Sequence, residues 1–428
     1  MMPPVQHRNA ISGIDMWATL AAWSVAILMI VAATQAQAQT FTVLHTFTGG
    51  SDGAYPEAGL TVDRAGNFYG TASGGGAHGW GTVFKLTHSG SGWLLHPLYS
   101  FAGGNDGAQP YARVVFGPDG SLYGTTGSGG LNDAGTVFNL RPPASACESA
   151  ICPWTETLLH SFPDPIDTDG FGPAGDLVFD PAGNIYGTAA NGGAGAPYEC
   201  TGEGCGVVYE LTRAQGGWSE NILYAFTGAG DGGNPWGGVI FGQSGNLYGT
   251  GAFGWGTVFQ LTPGQSGWTQ STLYTFLNLS NGSYPNQGIL FDSSGNMYTT
   301  ADQGGGSNNG GTVVELQPSG GGWNFDLLYT FRPANGIAPS GTLIMDSAGN
   351  LYGAAGRGGL HGYGAVYKLT PSGGGWTYTS LHDFTEGSDG ANPIGTLTMD
   401  ANGNLYGVAQ GGGAGCNRGC GVVWEITP

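Results

Sequence analysis

Positive charge is scarce in this chain: 428 residues hold 10 Lys and Arg against 29 Asp and Glu, a formal net charge of -19. That balance repels phosphate backbones and anionic lipid headgroups, which excludes nucleic acid and gives a membrane surface no hold. No helical periodicity appears beyond residue 38, so helices are expected to be nearly missing. Neither an H-E-x-x-H string nor a phosphate-binding loop occurs. Long apolar runs are also missing, with one exception. Met16 to Ala33 is an apolar run of 18 residues behind Arg8, and Ala36-Gln37-Ala38 follows it as a small-x-small cleavage site. This is the pattern of a secretory signal over residues 1–38, removed to leave Gln39 first; a retained anchor is the alternative. Cysteines are few, and none has the C-x2-C spacing of a zinc site. They fall into three local pairs, Cys147 with Cys152, Cys200 with Cys205 and Cys416 with Cys420, as expected of loop disulfides in an exported chain.

Glycine, by contrast, is plentiful at 85 residues, and 12% of the chain is aromatic. That aromatic share supplies the apolar surface a disordered chain lacks. Glycine without a strict three-residue period excludes a collagen-like rod. One recurring phrase organises both. GNLYGTGAFGWGTVFQLT at 245–262 returns as GNIYGTAANGG…GVVYELT and as GNLYGAAGRGGLHGYGAVYKLT. Its tyrosine stands at Tyr69, Tyr123, Tyr186, Tyr248, Tyr298, Tyr352 and Tyr406, with gaps from 50 residues (248 to 298) to 63 (123 to 186). Each copy holds four short runs rich in Val, Thr, Tyr and Phe, as strands are. The first ends in D-x-x-G-N, the second reads like NLYGAA, the third like GAVYKLT, and the fourth follows a Trp and ends in Leu-[Tyr/His]-x-Phe. Seven units of four strands predict an all-β fold, a seven-bladed β-propeller with four antiparallel strands per blade over residues 39–428. A lone fourth-type strand at 41–47 precedes the first copy, and the last copy stops at its third strand. The N-terminal strand is therefore expected to complete the last blade.

Asp180, Asp292, Asp346 and Asp400 open D-x-x-G-N turns, where a carboxylate accepts from the turn's own amides while glycine takes the left-handed conformation. Gly117 and Gly242 occupy that place in copies two and four, so the aspartate aids the turn without being essential. The glycine after the repeated tyrosine leaves room for a neighbouring aromatic. These residues, D-x-x-G-N-[LI]-Y-G-T, a glycine-rich gap and G-T-V-[FY]-x-L-T, resemble the GloVer tandem-repeat family of exported bacterial proteins over about residues 41–428. The resemblance implies export and propeller-like repeats, and no established activity. Family members often carry a C-terminal surface anchor, whereas this sequence stops at its last blade.

Alternate connections of a four-stranded meander share an end, so the long second-to-third and fourth-to-first loops gather on one face. Function concentrates in such loops on a rigid scaffold. The second-to-third loops carry His78 and Trp80, Phe253 and Trp255, and Arg357, His361 and Tyr363. Aromatics beside polar groups there suit the flat faces of sugars or peptide side chains, while packing between blades accounts equally for Trp80, Trp255 and Tyr363. The fourth-to-first loops repeat [Asp/Asn]-Gly-x-x-Pro. Asp52, Asp106, Asp169, Asp231 and Asp389, with Asn281 and Asn335, would form an acidic ring that takes Ca²⁺. The preference of Asp-Gly and Asn-Gly for turns explains the same residues with no metal or cofactor, and is favoured. His45, His160 and His382 replace the tyrosine of Leu-x-x-Phe and are read as structural. The expected function is that of a monomeric, non-catalytic module, secreted or in the periplasm or cell envelope, that binds a neutral extracellular glycan. A propeller hydrolase or lyase acting on polysaccharide and a scaffold for an envelope protein are the alternatives, and whether the chain is an enzyme stays open.

Overall fold

Each copy of the repeat folds into one antiparallel sheet, and seven such sheets form the propeller. The computed structural model describes residues 39–90, 92–143, 154–163, 169–193, 200, 203–277, 279–416 and 419–428; residues 1–38, Cys147 and Cys152 lie outside them. Blade one, from axis to rim, is Thr61–Val62, Phe68–Ala72, Thr82–Ser89 and Gly92–Ser100. Blades two to six repeat this order, and each blade's sheet follows the sequence. Blade seven is Ala391–Met399, Leu405–Gly411 and Val422–Thr427, with Thr40–Thr46 from the other end of the chain as its rim strand. Closure by the N-terminal strand is thus as the sequence predicts.

The inner strands depart from their expected length. Those of blades one, two and five pair over two residues only, and blade three uses two fragments, Phe171–Pro173 and Val178–Phe179, against Ile185–Asn191. In blades six and seven the inner strand runs through the proline as Ile337–Met345 and Ala391–Met399, with a register shift between Ser340 and Ile344 and between Ile394 and Thr398; in the other blades the stretch just past the proline leaves the ladder. Helical turns are limited, among the described residues, to Gly104–Asp106 and Pro333–Asn335.

Seven buried apolar clusters hold the described residues together, one at each junction between neighbouring blades. The phenylalanine of Leu-x-x-Phe anchors every junction: Phe47, Phe101, Phe162, Phe226, Phe276, Phe331 and Phe384 are fully buried. Phe101 meets Phe138 of blade two edge-on at 5.1 Å, and Phe331 meets Tyr367 of blade six at 4.9 Å. Within a blade, the glycine after the repeated tyrosine faces a third-strand ring. A Cβ on Gly70 would stand 2.5 Å from Phe84 Cζ, its cross-strand partner, and Gly124, Gly187, Gly249, Gly353 and Gly407 are equally tight. Blade five has Thr299 there, and its partner is the smaller Val314.

That exchange sets a test. Gly70→Thr alone overpacks a full site and is expected to cost about 1–3 kcal/mol in denaturant unfolding. Adding Phe84→Val, which recreates the blade-five pair, should recover part of the loss. Purely additive losses in the double-mutant cycle would refute the pairing.

Candidate functional site

The loops with [Asp/Asn]-Gly-x-x-Pro bring the chain from rim to axis, and their backbone is unusual. The residue before each proline is left-handed: Tyr55, Gln109, Gly172, Asn234, Tyr284, Ala338 and Asn392, with φ between 48° and 68°. Side chains rarely adopt this conformation, so it must be held from outside. Each of these residues donates its N–H to the carbonyl just ahead of the third strand of the preceding blade. Gln109 N reaches Trp80 O at 2.9 Å, Tyr284 N reaches Trp255 O at 3.1 Å, and Asn392 N reaches Tyr363 O at 2.8 Å. The backbones of Trp80, Trp255 and Tyr363 therefore tie blade to blade.

Past the proline, two or three residues of every blade reach the axis. They line a cavity of about 270 Å³, and the first residue after the proline differs in each blade: Glu57, Tyr111, Ala174, Trp236, Asn286, Ser340 and Ile394. Glu57 Oε1 accepts from Ser73 Oγ (2.8 Å) and from Gln410 Nε2 of blade seven (3.0 Å). Opposite in charge is Arg113, whose guanidinium lies 2.9 Å from Asp176 Oδ2, so this pair is internally neutral. Tyr111 lies over Gly127, and burial, then the charge of Glu57, raises its pKa. Gln287 Oε1 accepts from Gly341 N at 2.7 Å, fixing the floor at blades five and six. Trp236 stays 42% exposed. Burial raises the pKa of Asp302, at the end of blade five's second strand, while Arg357 opposes the shift. The depression thus offers two aromatic faces, amides, a hydroxyl and one carboxylate without a cationic partner.

Further out lie the residues singled out from the sequence. Trp80 and Trp255 are 47% and 46% exposed, so their rings face solvent while their carbonyls tie blades. They belong to blades one and four, and the structure does not bring them into one pocket. His78, Arg357 and His361 are exposed. Tyr363 has its pKa raised by a hydrogen bond to Glu386. Phe253 is half-buried beside the Cys200–Cys205 disulfide, in contact range of Gly228.

The loop carboxylates are engaged at the rim. Asp52 Oδ2 accepts from Thr48 N (2.9 Å) and lies 3.1 Å from His45 Nε2; Asp389 repeats this with Thr385 and His382. Asp231 takes Tyr224 OH at 2.8 Å, and Asp106 takes Tyr99 OH. Asn281 Nδ2 donates to Tyr274 OH at 3.2 Å, and Asn335 O accepts from Tyr378 OH at 2.6 Å. Asp169 lies in the loop into blade three, where its charge acts on His160 and Glu220. Each bonded side chain closes its own loop onto the fourth-strand Tyr or His rather than pointing to a common centre. Among the described residues no three His, Cys, Asp or Glu side chains gather as metal ligands. The string Gly49-Gly50-Ser51-Asp52-Gly53 spells G-x-S-x-G, but it is this same rim loop with no helix behind it. The Cys416–Cys420 disulfide packs against Gly49, next to the closing strand.

Fold and site together define a repeat protein of the seven-bladed β-propeller class. Its family model matches residues 29–251 and 250–428, and the chain belongs to the Gloeobacter/Verrucomicrobia repeat family. No curated protein matches this chain. Among solved structures, the extracellular domain of a hybrid two component system from B. thetaiotaomicron is similar at a TM-score of 0.54 and 13% identity. The alignment covers 90% of this chain and 39% of that one, so this chain spans well under half its length. PorZ, a surface component of the type-IX secretion system of Porphyromonas gingivalis, aligns at 0.48 and 14% identity, over 88% and 46% of the two chains. A protein of unknown function from Dyadobacter fermentans aligns at 0.45 and 11% identity, over 91% and 99%.

The sequence reading missed the residues after the prolines. It followed what repeats, and these positions are marked by failing to repeat.

Proposed function

We propose that this protein is an exported, non-catalytic binding module whose axial depression holds a neutral glycan. One observation carries the reading: seven different side chains stand at one sevenfold position around a single cavity, on a scaffold whose strands repeat. Fold alone asks for no such variety, while recognition of an asymmetric ligand does. Trp236 and Tyr111 offer flat faces to sugar rings, and Glu57, Asn286 and Ser340 offer partners for hydroxyls. Trp80 and Trp255 extend the aromatic surface toward the rim for a longer chain. The acidic balance favours neutral sugars over uronates. Export rests on the signal pattern of residues 1–38 and on the Cys200–Cys205 and Cys416–Cys420 disulfides. No helix among the described residues is long and apolar enough to cross a membrane.

The test is a binding screen against neutral and acidic polysaccharides and envelope extracts, with product analysis in the presence and absence of Ca²⁺. Trp236→Ala is expected to weaken binding roughly tenfold, the loss of a stacking face, with the melting temperature little changed. Trp80→Ala and Trp255→Ala should weaken long chains more than short ones. Released oligosaccharides would replace this reading with a hydrolase or lyase, and capture of an envelope protein in place of a glycan would make the module a scaffold.

A further inference from the structure

Blade four breaks the repeat at one turn, on the face opposite the axial depression. In blades one, three, five, six and seven, the aspartate of D-x-x-G-N collects four donors. Around Asp346 these are Ala348 N and Asn350 N at 2.9 Å, Asn350 Nδ2 at 2.7 Å and Tyr352 OH at 2.9 Å. The same four positions converge on Asp63, Asp180, Asp292 and Asp400. Blade two has Gly117 there, yet Asp119 within the turn accepts from Ser121 N and Tyr123 OH, both at 3.1 Å. Blade four has Gly242 and no acidic residue in its turn, which reads Gly242-Gln243-Ser244-Gly245-Asn246. Its equivalent donors are Ser244 N, Asn246 N, Asn246 Nδ2 and Tyr248 OH. None meets a carboxylate, and Tyr248 OH has no hydrogen-bond partner among the described residues.

The break opens space as well. Tyr248 is half-buried where its six counterparts are buried. Beside it, between blades four and five, lies a cavity of about 380 Å³ lined by Tyr248, Phe291, Pro318, Trp323 and Asp292. Tyr248 and Phe291 meet edge-on at 5.1 Å. Asp292 is already engaged by the donors of its own turn.

We infer that this cavity binds a small organic carboxylate with a flat apolar body. The ligand's carboxylate substitutes for the missing aspartate from within the cavity, accepting from Ser244 N and Tyr248 OH, and its body lies against Phe291 and Trp323. Hydrogen bonds to an ionised oxygen are stronger than neutral ones, and five other turns of this chain show the same donors around a carboxylate. Recognition comes from neutral donors with no cation, against a net charge of -19 that opposes any anion, so the affinity is millimolar rather than micromolar. The site is independent of the axial reading.

Benzoate is the probe and benzamide its uncharged control, measured by equilibrium dialysis on the full chain. Wild type is expected to bind benzoate in the millimolar range and benzamide at least roughly tenfold more weakly. Gly242→Asp supplies the carboxylate from within. A Cβ at 242 would stand 2.5 Å from Tyr248 Cε2, so the ring must shift to admit the aspartate. This variant is expected to lose benzoate binding and to melt at a higher temperature. Tyr248→Phe keeps the turn and should weaken benzoate roughly tenfold. Absence of binding to wild type, equal binding of benzamide, or unchanged benzoate binding by Tyr248→Phe and Gly242→Asp overturns the inference.

Discussion

A chain beginning at Thr48 is expected to aggregate under conditions in which the chain from Gln39 is folded and soluble. The missing segment is small, but its contacts reach three blades. Phe41 stacks on His382 of blade six at 3.7 Å and meets Phe384 edge-on at 5.7 Å. Phe47, fully buried, packs against Phe84 of blade one at 5.3 Å. Burying a large apolar side chain stabilises by about 1.5–3 kcal/mol, so losing Phe41, Val43, Leu44 and Phe47 removes on the order of 5–10 kcal/mol. That is comparable to the total stability of a typical domain. Deletion also bares Val422–Thr427 as an unpaired apolar edge, a template for intermolecular pairing. A truncated chain that stays monomeric and melts like the full one would refute the closure.

A second large effect concerns pH. At the junctions of blades seven with six, six with five and five with four, the residue two places after the expected fourth-strand Trp position is aromatic: Phe41, Tyr378 and Phe325 stack on His382, Tyr329 and Tyr274. Blades two and three carry Glu156 and Glu220 at this place. Burial, then the charge of Asp106, pushes Glu156 up to about 7; burial, then the charge of Asp169, pushes Glu220 up to about 8. His160 Nε2 lies 3.3 Å from Glu220 Oε2, and burial lowers its pKa to about 4.

The sign follows from counting protons. Folded, the His160–Glu220 pair holds one proton between about pH 4 and 8; unfolded, it holds one until histidine titrates near 6.5 and none above. Its contribution is flat from about pH 4.5 to 6.5 and is lost as pH rises to 8. Glu156 adds a loss between its unfolded value near 4.5 and about 7. Stability is expected to fall from mildly acid pH toward pH 8, with a slope near 1.4 kcal/mol per pH unit for each extra proton held. Glu220→Gln and Glu156→Gln should flatten that slope and raise the melting temperature at pH 8 more than at pH 5. Melting curves of the three proteins across pH 5–9 check this, and a wild-type curve level from pH 6 to 9 would sink it.

Blade number, strand number and ring closure were legible because they rest on repetition. Tyr69 to Tyr406 mark seven second strands, and one fourth-type strand stands alone ahead of the first copy. The gap left by Gly70 was legible for the same reason, since both the glycine after the tyrosine and the third-strand aromatic, here Phe84, recur in their motifs. Inner-strand lengths were not, because hydrophobic pattern cannot show that residues 174–177 leave the ladder between Pro173 and Val178. The face on which the long loops gather was legible from loop length. Its centre was not: Trp236 and Glu57 look like noise at the start of an apolar run until the fold sets them around one axis. The aspartates misled in the opposite way. Asp52 and Asp389 recur because each must hold His45 or His382 of its own loop, a local task that repetition alone makes resemble a ring.

Phe47 N bonds Gly421 O at 3.0 Å across 373 intervening residues. The strand made first is therefore the last to find its partner. Until residue 422 has been synthesised, its rightful neighbour does not exist, while six earlier third strands of nearly the same sequence do. Each of those can accept a fourth-type strand before its own has emerged, Thr82–Ser89 soonest of all. Refolding is expected to include a slow phase in which such a misplaced strand leaves blade one and the ring closes, and tethering by long separation makes that step slow in any case.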